Sequence, residues 1–177
     1  MSKPQSAKDN DKKFYAKLIA FVAAFAAAML IFSINFKLMR STSGSMEPTI
    51  MVGDYGVMYK YAYKHSAPKH GDLIVFTYHG ETGGKRVIGT PGDTISFQDG
   101  YVYRNGKRLK ENYLPSSDTE TICYQEFKVP AGSVFVMGDN REISYDSRAW
   151  KDPYIPYSHI KGKILFIVPT HGLFAGR

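Results

Sequence analysis

The sequence predicts a mostly-β domain, a folded antiparallel or barrel-like sheet, carried behind one N-terminal transmembrane helix. Three observations point there. Residues 18–36 form a single uncharged apolar run. After it no long stretch keeps a helical apolar period; short β-branched and aromatic runs follow, bounded by Gly, Pro and Asn. Among them stands Asn105-Gly106, the strongest short-range hairpin signal.

The elements follow in order. Residues 1–17 are polar and rich in lysine and are expected as a short disordered cytoplasmic tail. A helix over residues 18–36 would span about 28 Å, close to the hydrocarbon thickness of a bilayer. A cleaved signal peptide also has a basic start and an apolar stretch, but of about 7–15 residues ending at a small-x-small site. Here Lys37-Leu38-Met39-Arg40 follows instead, so a retained anchor is expected. The N-terminal lysines favour a cytoplasmic N-terminus, which puts residues 37–177 on the extracytoplasmic side of the cytoplasmic membrane in a single-pass protein. Strands are expected over residues 54–60, 72–79, 85–89, 93–98, 101–104, 107–109, 120–129, 133–137 and 160–168. Thr90-Pro91-Gly92 separates two of them. Residues 101–129 are expected as a small β-insert. Tyr59-Lys60-Tyr61-Ala62-Tyr63-Lys64-His65 mixes aromatics with cations, which suits a membrane interface or, more ordinarily, an edge strand and its loop.

Composition narrows the function. The chain of 177 residues has 14% aromatics, which excludes a disordered protein. Its net charge of +7 comes from scattered lysines near the apolar run, favouring a lipid surface over nucleic acid. The single cysteine, Cys123, excludes an intrachain disulfide. No His, Cys or Asp spacing suggests a metal site and no phosphate-binding glycine loop is visible, so no cofactor is expected.

Three stretches carry chemistry. Ser41-Thr42-Ser43-Gly44-Ser45-Met46-Glu47-Pro48 places small hydroxyl residues in a turn right after the apolar run. A serine there can be held exposed with backbone N–H groups facing the same space, which suits a nucleophile beside an oxyanion hole. Taken alone, Ser-Gly-Ser reads far more readily as an ordinary loop. A nucleophile needs a base. None of the five histidines has a local setting that marks it as one, although triad members need not be near in sequence. A lysine serves if burial lowers its pKa by several units, and Lys85, opening a strand-like run, is the natural candidate. By itself Lys85-Arg86 is also an ordinary solvated charge pair. The third stretch is Gly138-Asp139-Asn140-Arg141 through Ser144, Asp146 and Arg148, in which Asp146 and Arg148 can pair; alone it reads as a polar turn.

Together, Ser43-Gly44-Ser45-Met46-Glu47-Pro48-Thr49, Gly71-Asp72, the run from Lys85 to Asp93, and the run from Gly138 to Arg148 resemble the ordered sequence boxes of type I signal peptidases, the bacterial leader peptidases. The resemblance covers the chain from the anchor to near its C-terminus. It implies a Ser-Lys endopeptidase with Ser45 as nucleophile and Lys85 as general base. It further implies an oxyanion hole from the Ser43 hydroxyl and the Ser45 N–H, Ser144 orienting the Lys85 amine, Asp146 and Arg148 as support, and Met46 as a pocket wall. The implied substrates are preproteins with small residues at positions −1 and −3. Thr42 departs from the family pattern, which often has proline there, and Gly83-Gly84 stand where a bulkier apolar residue is usual. A dedicated processing peptidase of a conjugation or pilus system, and a non-catalytic anchored binding domain, are the alternatives. The order of the boxes disfavours a self-cleaving repressor.

Overall fold

The computed structural model describes residues 5–116 and 119–170, with side chains from residue 10 onward. It divides into two compact units, Met1–Phe36 and Lys37–Arg177. The first is a helix, α1 (Gln5–Asn35), whose span Asn10–Asn35 is long and apolar enough to cross a membrane. The helix starts well before the apolar run, so the expected polar tail is helical from residue 5. Lysine is the commonest residue of that stretch and two alanines accompany it, and such residues extend a helix once the apolar run has nucleated it.

The strands are β1 (Phe36–Arg40), β2 (Tyr55–Tyr59), β3 (Leu73–Tyr78), β4 (Glu81–Gly89), β5 (Thr94–Gln98), β6 (Tyr101–Arg104), β7 (Lys107–Arg108), β8 (Phe127–Lys128), β9 (Ser133–Met137), β10 (Tyr154–Pro156) and β11 (Ile160–Val168). Seven form one sheet in the order β1-β2-β11-β3-β4-β9-β10, and four a second in the order β7-β6-β5-β8. The registers are antiparallel, as expected for this class. Barrel closure is not seen: β1 and β10 are the two edges of the larger sheet. β10 is three residues long and ends on Pro156, which has no N–H to offer a further strand. At the expected hairpin, Asn105 and Gly106 both take positive φ, +54° and +74°, the conformation a tight two-residue turn demands.

Two expectations change. Residues 120–126 are not a strand; only Phe127–Lys128 pair. That segment instead turns Thr121 inward, where its hydroxyl accepts a hydrogen bond from Arg141 at 2.7 Å. β1 and β10 were not expected, being short and edge-placed, with pairing rather than propensity defining them.

β9 explains how two sheets share a core. All five of its residues are buried. Val134 and Val136 face a cluster with Ile74, Phe76, Val87, Trp150 and Ile155, while Phe135 and Met137 face a second with Ile88, Ile95, Val102, Phe127 and Val129. The side-chain period of two sends alternate residues to opposite faces, so a strand covered on both reads as one continuous apolar run. Phe135→Ala is expected to destabilise the domain by about 3–5 kcal/mol, read from chemical denaturation. β4 lies beside β9 and has the same two-sided burial: Val87 enters the first cluster and Ile88 the second. Lys85 and Arg86, immediately before them, must therefore point to opposite faces, both largely out of water.

Candidate active site

Ser45 sits in a single 3-10 turn, Gly44–Met46, between the end of β1 and the start of β2. Ser43 precedes the turn in extended conformation, and Met46 is buried beneath it. The hydroxyls of Ser43 and Ser45 lie 3.3 Å apart. The first N–H groups of a helical turn have no partner inside it, so this bend presents donors beside the Ser45 hydroxyl. Ser43, Ser45, Met46 and Ile50 line a cavity of about 140 Å³, with Gly83 and Gly84 of β4 also on its wall.

β4 packs against this turn and carries Lys85. Only 7% of Lys85 is exposed, and it makes no ion pair among the described residues. Burial drives its pKa down, to about 8. Asp146 and Asp139 pull it back up and Arg148 pushes it down. The pull is weak because each carboxylate already has a cation. Asp146 takes Arg148 Nε at 2.8 Å and Nη2 at 2.9 Å, and the Gly138 N–H at 3.0 Å. Asp139, fully buried, takes Arg86 Nε at 2.8 Å and Nη2 at 2.6 Å. Two forked pairs thus satisfy the acids around Lys85 and leave its amine poorly solvated and unpaired, the condition under which a lysine is neutral near pH 8. Burial alone would raise the Asp146 carboxyl; the Arg148 guanidinium and the Gly138 N–H hold it below the usual range.

Residues 138–148 close the site. The Asn140 N–H donates to the Ser45 carbonyl at 3.1 Å, and the Ser144 N–H to the Asn140 carbonyl at 3.0 Å. Gly138 is wedged between Ser45 and Ser144: a Cβ there would overlap the Ser45 carbonyl oxygen and the Ser144 hydroxyl. Gly138→Ala is therefore expected to destabilise the fold by about 1–3 kcal/mol or more, measured by denaturation, and to disturb both serines. The Ser144 hydroxyl is buried beside the Asp146 carboxylate, whose charge it helps to stabilise, and makes no hydrogen bond to Lys85.

The structure thus gathers Ser43, Ser45 and Met46 on one turn, with Lys85 on the strand beside it and Ser144, Asp146 and Arg148 on one loop. It also shows residues that had no assigned role. Arg86, read from the sequence as half of a charge pair with Lys85, instead pairs with Asp139, whose carboxylate also accepts from Thr49 Oγ1. Tyr113 lies against the Arg86 guanidinium, 3.9 Å from its ring centre. Arg141 is buried and ties the loop to the second sheet's long connection through Glu111 and Thr121. The alternation along β4 was the available signal for Arg86; nothing local marked Glu111. Among the described residues, no three His, Cys, Asp or Glu side chains are arranged to hold a metal ion.

Comparison with known proteins shows which family the chain belongs to. The family model described as signal peptidase, peptidase S26, matches residues 14–169. The chain is 36% identical over 143 residues to a probable signal peptidase I-2 of Synechocystis sp., covering 74% of this chain and 63% of that protein. It is 41% identical over 131 residues to a signal peptidase I of Leptolyngbya laminosa, covering 68% and 63%. The chain thus spans somewhat less than two thirds of the length of these two relatives. A crystal structure of a signal peptidase I from Enterococcus faecalis aligns with a TM-score of 0.48 and 32% identity, covering 57% of this chain and 98% of that one. With the serine turn, Lys85 and the loop from Gly138 to Arg148 all inside the matched region, the chain belongs to the signal peptidase family, peptidase S26.

Proposed function

We propose that this chain is a membrane-bound endopeptidase that removes N-terminal signal peptides from exported preproteins by a Ser-Lys mechanism. One observation carries the reading: a nearly buried, unpaired lysine on the strand that packs against a turn presenting two serine hydroxyls. Family membership and the apolar helix together make it a membrane-anchored protein. The finer placement, with one span and the β unit outside the cytoplasm, rests on the N-terminal lysines.

Ser45 Oγ attacks the scissile carbonyl while Lys85 accepts its proton. The Ser43 hydroxyl and the Ser45 N–H donate to the developing oxyanion. Lys85 then protonates the leaving amine, and water, deprotonated by the same lysine, releases the acyl group from Ser45. Ser144 orients the amine. Asp146 and Arg148 hold the loop and balance its charge. The small cavity, walled by Met46 and Ile50, takes the small side chains at −1 and −3.

The test is cleavage of a preprotein bearing an Ala-x-Ala site in detergent, comparing wild type with Ser45→Ala. Cleavage at that site, lost in the variant, is the expected result; equal cleavage by both would remove Ser45 from the mechanism. Because only the neutral amine accepts a proton, kcat/KM should rise with pH and level off above about 8. A flat profile under chemistry-limited conditions would contradict a lysine base.

A processing peptidase dedicated to one substrate is a second reading, favoured by Gly83-Gly84. A Cβ at Gly84 would meet only the Ile74 carbonyl oxygen, at 3.9 Å, so this wall of the cavity is open where a side chain would fit. Gly84→Val should lower kcat/KM for substrates with a larger residue at −1 or −3 by about tenfold relative to alanine substrates, in a competition assay.

A further inference from the structure

A second depression, of about 990 Å³, opens between residues 119–125 and residues 140–149. Ser144 and Arg148 are on its lining, so it borders the candidate site. Its wall toward the second sheet exposes Ile122 and Tyr124, at 67% and 97% of their full surface. Large side chains left this bare beside a reactive centre mark a contact surface rather than a core. Its charge is also uneven. Arg141 and Arg148 are neutralised by Glu111 and Asp146, while Glu120 and Glu142, exposed on the lining, have no ion pair among the described residues.

The chemistry at Ser45 gives this groove a direction. The carbonyl oxygen of the scissile bond must approach Ser43, which lines the small cavity. The leaving amine must approach Lys85, whose charged neighbours, Asp146, Arg148 and Asp139, all belong to residues 138–148. A polypeptide crossing the site therefore has its acyl side in the small cavity. Its amine side passes over Ser144 and Arg148 into the groove.

We infer that the groove between residues 119–125 and 140–149 receives the segment of the substrate that follows the scissile bond, and that it favours apolar and cationic side chains over acidic ones. This rests on the peptidase reading above. Tyr124 and Ile122 supply apolar contact, and Glu120 and Glu142 set the charge preference.

The experiment uses the full chain in detergent and peptide substrates identical up to the cleavage point. One ends two residues beyond it; two others continue for six residues and carry either a pair of lysines or a pair of glutamates there. Tyr124→Ala should lower kcat/KM on the long substrates about fivefold and leave the short one unchanged. Wild type at low salt should prefer the lysine substrate over the glutamate one by about tenfold, shrinking as salt is added. The double variant Glu120→Lys with Glu142→Lys should reverse that preference. Equal loss on short and long substrates, or a charge preference unmoved by the double variant, would overturn the groove while leaving the peptidase intact. If wild type cleaves none of them, the peptidase reading falls and the groove's role with it.

Discussion

Lys85→Met is expected to abolish cleavage and, at neutral pH, to make the protein more stable. Removing the base should cost on the order of 10⁴-fold in kcat/KM, the upper end for a general base. The stability gain follows from the same burial that lowers the lysine's pKa. The drop from an ordinary lysine's 10.5 to about 8 corresponds to about 3 kcal/mol by which the folded state disfavours the ammonium. The sign follows from proton counting. Below pH 8 both folded and unfolded chains are protonated and the full penalty is present. Between 8 and 10.5 the folded lysine is neutral and the penalty shrinks; above 10.5 it is gone. Methionine fills similar volume with no charge to desolvate, so its advantage should be about 3 kcal/mol near pH 7 and vanish by about pH 11. Denaturation of the full chain in detergent at both pH values measures this. A variant less stable than wild type by the same amount at both would show that Lys85 is not a desolvated cation.

Arg148→Met should combine a large loss of stability with a displaced pH profile. Arg148 is the only cation forked onto Asp146 among the described residues, and the carboxylate is fully buried. Removing one partner of a buried pair leaves an uncompensated charge and costs about 3–5 kcal/mol. That charge would then act on Lys85 without the opposing guanidinium, raising the pKa of the amine. Activity should fall steeply at pH 7 and recover part of the way at higher pH, with the midpoint of the profile moved upward. Arg148→Lys, which restores a cation without the fork, should return the midpoint toward wild type while recovering only part of the stability. A merely structural role would lower activity at every pH and leave the midpoint in place.

The stretches that carry the candidate site stood out because they are local. A serine turn, a strand carrying Lys85, which opens at Glu81 and not at Lys85 as expected, and a loop from Gly138 to Arg148 each have their own composition, and their order matches one family. Strand positions were legible wherever β-branched and aromatic residues ran between turn residues, as in β3, β5 and β9. Residues 120–126 misled because Thr121 and Ile122 carry strand propensity, while the backbone there instead brings Thr121 to Arg141. Arg86 misled in the opposite way. Its neighbour in sequence is Lys85, but a strand sends adjacent side chains to opposite faces, and its partner Asp139 lies 53 positions away.

By itself the sequence determined the apolar helix, the antiparallel β class, and which serine and lysine to examine, since these depend on local period and residue type. Only the tertiary structure decided that Lys85 is buried, that the acids near it are already paired with Arg86 and Arg148, and that the larger sheet stays open. Each of these depends on residues far apart in the chain meeting in one place. A pKa, a forked ion pair and a sheet edge are properties of that meeting, and no single stretch of sequence contains them.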